Sequence, residues 1–317
     1  MPIILENYFK KIKHPFPNME DMPAEQKIKC LHDIYYAHVL SFPYHNFELR
    51  EVSLQRVYHR PELTFFSYQN LLSPSHKGGY CYQTVVLLHD VLSQLGLSPN
   101  YCMAHTLIGA PVNDPSILSK DPNHILLTVM IDEKLFFLDP GFGSHSPRFP
   151  IMVSGSDEII PQEDDVFKFQ KIEAVHVLER KTAQGWLRLS QTNLQAITEA
   201  QVNYYLSKIE YAPSVLIRDD KTLIACVTEN GRKSLVWDSS SDELKFSKHE
   251  KGLYSQIKLS VKDGYKVLQE EFGIPISFVK FEAYCTKTPL IKRPWETPVT
   301  SRERLENDPI VKTFLSP

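Results

Sequence analysis

"HILLTVMIDEKLFFLDPGF", residues 124–142, is the stretch on which the reading of this chain turns. Two apolar runs rich in β-branched and aromatic side chains, HILLTVMI and KLFFLDPGF, flank the polar pair Asp132-Glu133. That pattern predicts two antiparallel strands joined by a tight turn. His124 opens the first strand and Asp139 closes the second. A two-residue loop at Asp132-Glu133 sets His124 opposite Gly141, with Asp139 two positions away on the same face. A four-residue loop beginning at Met130 would set His124 and Asp139 directly opposite. Either register keeps the two side chains on one face, with Cβ atoms roughly 5–8 Å apart. A slip of one residue would part them.

Outward from the hairpin the period changes. Upstream, "PAEQKIKCLHDIYYAHVLSFP" places Ile28, Leu31, Ile34, Tyr35, His38 and Val39 at helical spacing and ends at Pro43. "CYQTVVLLHDVLSQLGLSP" is the clearest helix, stopped by Gly96 with Pro99 beyond. Downstream, "FKFQKIEAVHVLERKT", "GWLRLSQT", "TLIACVTE" and "KSLVWDS" read as short strands of an antiparallel sheet or barrel. "DGYKVLQEEFGI" returns to helical spacing, with Gly273 as its C-cap. Beyond residue 285, prolines at 289, 294, 298, 309 and 317 mark a tail or a wrapping extension.

Composition narrows the function classes. The chain has 317 residues, enough for more than one domain, and a net charge of −3, which gives no reason to expect nucleic acid or an anionic membrane as partner. Five cysteines, at 30, 81, 102, 226 and 285, are scattered without a C-x-x-C pair. That argues against a disulfide framework and a cysteine-based zinc site, and no metal is expected. "MPIILENYFKKIKH" is too short in apolar residues for a secretory leader, and no stretch approaches a membrane span. The expectation is a soluble, cytoplasmic protein. No phosphate-binding glycine loop or dinucleotide fingerprint is present.

The chemistry centres on "KGGYCYQ", residues 77–83, which runs straight into the clearest helix. Two adjacent glycines imply a close backbone approach at the turn. A cysteine at a helix start feels the positive end of the helix and lies beside free amide groups, conditions that favour a thiolate and an oxyanion. A carboxylate on one imidazole nitrogen leaves the other to take a proton. Cys81, His124 and Asp139 thus form a coherent nucleophile, base and orienting acid. Each also has a plainer reading: Cys81 as a small buried hydrophobe, His124 as a satisfied strand-end histidine, Asp139 as a turn residue before Pro-Gly.

At these residues the chain resembles the arylamine N-acetyltransferase family. That family has a basic residue, two glycines, an aromatic and the nucleophilic cysteine opening a helix. A strand-opening histidine follows, then an aspartate fifteen residues on before Gly-Phe-Gly; here these are KGGYC, NHILLTV and LDPGFG. "ENYFKKI", "FPYHNFEL" and "VLQEEFGI" are similar to further family segments, so the likeness runs from about residue 6 to 274. The resemblance implies an α/β (α+β) fold: a helical bundle over 1–98, a central antiparallel β-barrel over 99–210, and an α/β lid over 211–280. A C-terminal extension over 281–317 would follow. It implies acetyl transfer from acetyl-CoA, through a thioester on Cys81, to an aromatic amine, hydrazine or N-hydroxyarylamine. His124 would serve as base and then acid, and Asp139 as the orienting anion. Tyr44, Tyr80 and Phe142 would line the acceptor pocket, and Gly141, Gly143 and Ser144 would meet CoA. Lys292 and Arg293 in the tail are candidates for its phosphates.

Four positions depart from the family pattern. Lys77 stands for its arginine before Gly-Gly, His45 for the glutamate of Pro-Phe-Glu-Asn, Lys11 for an arginine, and Asn123 for a small or apolar residue. Lys77 and His45 cannot make the family's acid–base pair, so the support beside the nucleophile must be rebuilt, and an unusual acceptor preference is expected. The alternatives are an amide synthase or Cys-His-Asp hydrolase using another acyl donor, or an inactive family member that binds. Papain-like proteases share the residue order but place histidine about 130–150 residues after cysteine, against 43 here.

Overall fold

The computed structural model describes residues 3–55, 68–108, 117, 120–154, 158–211 and 215–286. Its N-terminal part holds α1 (Leu5–Ile12), α2 (Ala24–Ser41), the short strand β1 (Tyr44–His45), α3 (Phe47–Gln55) and α4 (Cys81–Gln94). Pro43 ends α2, and Gly96, with φ of 82°, follows α4.

Strands then take over: β2 (Pro99–Thr106), β3 (His124–Ile131), β4 (Lys134–Leu138), β5 (Ile151–Met152), β6 (Ile159–Gln162), β7 (Asp165–Ile172), β8 (Val175–Thr182), β9 (Gly185–Thr192) and β10 (Ala196–Ile197). Their antiparallel order, β5-β4-β3-β2-β9-β8-β7-β6 with β10 beside β2, makes a nearly closed barrel. The mixed α/β class expected from the sequence is observed. β3 is buried on both faces. Ile125, Leu127 and Val129 join Leu31, Ile34, Val85 and Leu88 of the helices, while Leu126 packs inside the barrel with Phe137, Phe167 and Leu189. Two-sided burial explains why this run does not alternate with polar residues.

A second sheet follows α5 (Glu199–Tyr211) and α6 (Leu216–Asp219). It is built from β11 (Lys221–Thr228), β12 (Gly231–Asp238), β13 (Glu243–Glu250) and β14 (Leu253–Leu259). β1 forms its other edge, pairing Tyr44 with Ala225 and His45 with Ile224. The N-terminal segment therefore supplies a strand to a sheet nearly 180 residues downstream. Asn46 locks this junction: its side chain donates to the carbonyl of Lys221 at 2.7 Å and accepts from the amide of Leu223 at 2.8 Å.

α7 (Val261–Val267) continues through a π turn, Leu268–Phe272, to Gly273 with φ of 61°, and α8 (Phe278–Tyr284) follows. Leu268, Phe272, Phe281 and Tyr284 cover Ile224, Leu235 and Trp237 of the sheet. α8 thus crosses residue 280, where the extension was expected to begin. Residues 287–317, with Lys292 and Arg293, lie outside the described residues.

Candidate active site

The turn into α4 is held by its own side chains. Tyr80 occupies the N-cap position in extended conformation, and its amide donates to Gln83 Oε1 at 3.0 Å. Gln83 in turn donates to the Glu48 carboxylate. Burial pushes the Glu48 carboxyl up to about 7, with nearby Glu51 acting in the same direction and the Gln83 hydrogen bond opposing them. Both glycines are required by close packing. Gly78 has φ of 81°, and a Cβ there would lie 1.9 Å from the Pro43 carbonyl oxygen. A Cβ on Gly79 would lie 2.3 Å from Gln83 Oε1. Hydrogen bonds from Gly79 N–H to Pro43 and from His45 N–H to Gly79, at 3.1 and 3.0 Å, lay this turn along β1. The glycine pair was expected to clear room for a substrate; the space beside it is instead taken by the chain's own Pro43 and Gln83.

The hairpin takes the two-residue loop. Ile131 pairs with Lys134 and Leu127 with Leu138, and Asp132 and Glu133 have φ of 49° and 62°. Two left-handed residues give a turn whose twist matches the strands. The register brings the Asp139 carboxylate to His124 Nε2, which donates to it at 2.8 and 2.9 Å with both groups buried. Cys81, also buried, lies close enough to the same imidazole to favour its charged form. Burial works against a charged His124, but the Asp139 carboxylate outweighs it, with Cys81 adding in the same sense, so the imidazole is raised to about 10. The Asp139 amide donates to the Tyr35 hydroxyl at 3.2 Å.

The segment after Asp139 is pinned against the nucleophile. A Cβ on Gly141 would lie 2.8 Å from Cys81 Cα and Cβ, so only glycine fits against the start of α4. Phe142 is half-buried and stacks on His124, with ring centroids 4.7 Å apart and planes 29° apart. Gly143 has φ of 61°, and a Cβ there would lie 2.9 Å from the Ala225 Cβ and 3.1 Å from the Tyr44 Cβ. The Ser144 and Ser146 carbonyls accept from Arg232, whose guanidinium is paired with the buried Asp165.

Of the aromatic residues singled out from sequence, Tyr44 and Phe142 are half-buried beside the Cys81–His124 pair. Burial first, and then the Cys81 charge, raise the Tyr44 phenol. Tyr80 is fully buried and its hydroxyl donates to Glu210 at 2.8 Å, so that side chain is occupied in the core. Sequence reasoning did not find Tyr35, Gln83, Glu48 or the Arg232–Asp165 pair. Gln83 alone carried a signal, because a glutamine three residues after an N-cap is a capping-box position.

The departures beside the nucleophile are resolved without an acid–base pair. His45 Nε2 donates to the Lys77 carbonyl at 3.1 Å, and its ring stacks on Phe47 at 4.8 Å. Lys11 donates to the carbonyls of Ser73 and His76, both at 2.7 Å. The Lys77 ammonium lies over Gly273, where a Cβ would come within 2.8 Å of it. Asn123 accepts from the Thr106 amide at 2.9 Å, just ahead of His124. Among the described residues no group of three or more His, Cys, Asp or Glu side chains is arranged to hold a metal ion. No helix among them is long and apolar enough to cross a membrane.

Comparison with known proteins agrees with this architecture. A family model described as N-acetyltransferase matches residues 27–281. The pineal gland isozyme of arylamine N-acetyltransferase from Gallus gallus is 23% identical over 299 residues, covering 86% of this chain and 94% of that protein. The arylamine N-acetyltransferase of Escherichia coli is also 23% identical, covering 88% and 92%. Among solved structures, the Mycobacterium marinum arylamine N-acetyltransferase in complex with CoA superposes with a TM-score of 0.74 at 18% identity, covering 90% of this chain and 99% of that one. This chain belongs to the N-acetyltransferase family, among whose members are the arylamine N-acetyltransferases, and is an acyltransferase.

Proposed function

We propose that the chain is an acetyl-CoA-dependent arylamine N-acetyltransferase that works by a ping-pong route through Cys81. The observation that carries the reading is one buried imidazole held by Asp139 through Nε2, with the Cys81 thiol beside it acting on its charge. With Nε2 committed to Asp139, Nδ1 is the nitrogen that takes the thiol proton. The Cys81 sulfur then attacks the acetyl carbonyl, and the amides of Cys81 and Tyr82, which the first turn leaves without intrahelical acceptors, stabilise the oxyanion. His124 returns its proton to the CoA sulfur as the C–S bond breaks, leaving an acetyl thioester on Cys81. The acceptor amine attacks that carbonyl and loses a proton to His124; the C–S bond breaks, the Cys81 sulfur leaves and takes that proton from His124, and the amide is released. Phe142 and Tyr44 present flat faces beside the reacting sulfur, which suits an aromatic amine, hydrazine or N-hydroxyarylamine.

The test is intact mass after brief exposure to acetyl-CoA, with Cys81→Ala as control. One acetyl adduct, absent in the variant, is expected. A folded protein that gains none would overturn acetyl-CoA as donor and leave a carrier-bound acyl donor or a binding role.

A further inference from the structure

We infer that Tyr35 of α2 is a positioning residue for the reaction, holding Asp139 in line with His124 through the Asp139 backbone amide. The inference rests on the reading of Cys81, His124 and Asp139 given above. Asp139 lies one residue past the end of β4, where the β3–β4 ladder has stopped. Its carboxylate is fully buried and accepts twice from His124. Its amide, with no strand partner at that point, donates instead to the Tyr35 hydroxyl at 3.2 Å, across 104 residues of chain.

Tyr35 is well built to hold that amide. The residue is wholly buried among Leu31, Ile34 and Val39 of its own helix and the helix-facing side of β3. A buried phenol ring has only two rotatable bonds, so the hydroxyl is placed by packing of the ring. Burial first, and the neighbouring Asp139 charge second, raise the phenol well above its ordinary value, so it stays neutral and able to accept. The segment beyond is pinned on its other side, where Gly141 abuts Cys81 and Ser146 accepts from Phe142 N–H at 3.0 Å. The Tyr35 contact is therefore the point at which the helices fix the strand end that carries the acid.

Such a residue moves no proton to or from substrate. Its loss should lower the rate of thioester formation without weakening substrate binding, because the ring that accepts the Cys81 proton would be aimed less well. Tyr8→Phe provides the control: Tyr8 is equally buried and its hydroxyl bonds the His38 ring at 3.0 Å, away from Asp139.

The experiment follows single-turnover acetylation of Cys81 in the wild type, Tyr35→Phe and Tyr8→Phe, with the Nε2–H proton of His124 observed by NMR. Tyr35→Phe should acetylate about tenfold more slowly at saturating acetyl-CoA, with the His124 resonance displaced and Tyr8→Phe unaffected in both. A rate within twofold of wild type with an unmoved resonance would overturn the inference, as would equal losses in the two variants. Amide exchange in the wild type tests it without any variant: Asp139 N–H should be protected like the β3 core, and free exchange would remove the contact. Absence of any Cys81 adduct in the wild type would instead sink the acetyl-transfer reading, while exchange and NMR still judge Tyr35.

Discussion

Two histidines flank the nucleophile's turn, and they are buried to the same degree. His124 is 3% exposed and His45 is 4% exposed. His124 faces the Asp139 carboxylate and is raised to about 10. Among the described residues His45 has no carboxylate in hydrogen-bonding contact, and burial, reinforced by the nearby His76, lowers it to about 3. The same side chain is thus pushed toward the imidazolium on one side of Cys81 and toward the neutral ring on the other. Burial sets how costly the charge is, and one hydrogen-bonded carboxylate decides whether the charge persists. Here His45 is a neutral ring stacked on Phe47.

The comparison breaks most directly at Asp139. Asp139→Asn removes the charge but not the shape, so His124 should lose its cationic form and its orientation. Acetyl transfer should fall roughly 10³–10⁴-fold, read as single-turnover thioester formation. A loss below tenfold would mean the carboxylate does not govern His124.

Gly78→Ala probes the turn between the two histidines. A left-handed φ and a Pro43 oxygen in the place of the new Cβ should destabilise the fold by roughly 2–4 kcal/mol, seen as a lower midpoint in urea. An unchanged midpoint would mean the turn along β1 is not held as described.

The two rings also predict opposite pH dependences. A folded-state value raised above the ordinary 6.5 gives His124 stability that is complete below about pH 6.5 and lost as pH climbs to about 10. The unfolding free-energy gap between wild type and Asp139→Asn should therefore be widest near pH 6 and close toward pH 10. His45 is depressed, so its contribution is complete above about pH 6.5 and is lost as pH falls toward about 3. His45→Gln should flatten part of that acid limb and leave the alkaline limb alone. Urea titrations across pH 3–10 check both slopes.

The smallest effect is expected at Lys77. Its ammonium sits in the notch left by Gly273, so a bulkier guanidinium fits less well. Lys77→Arg and Lys77→Ala should each change transfer to an arylamine by about two- to fivefold. Identical rates in all three proteins would remove any functional meaning from this departure.

Much of the site was legible from local pattern. The hairpin, the His124–Asp139 face and the cysteine at a helix start all follow from residues close in sequence, whereas the choice between a two- and a four-residue loop came with the pairing of Ile131 and Lys134. β11 and β12 were equally readable because Leu223–Val227 and Leu235–Trp237 form apolar runs. β13 and β14 were not read: "ELKFSKHE" and "LYSQIKL" carry lysines, serines and a glutamine, and β14 is almost wholly exposed. α5 was missed for a similar reason, since "EAQVNYYLSKIEY" spreads few apolar residues among polar ones.

By itself the amino-acid sequence indicated helices followed by antiparallel strands and put His124 and Asp139 on one face of a hairpin, because these depend on period and turn within a few dozen residues, while the set of three residues rested on the family resemblance and the register stayed open between two loops. Only the tertiary structure decided that Gly78 yields to Pro43, that Tyr80 is tied to Glu210, and that Tyr35 holds Asp139. It likewise decided that His45 is a neutral ring. Those are contacts between segments from about thirty-five to more than a hundred residues apart. Nothing in local propensity records which atom arrives at a given donor until the chain has packed.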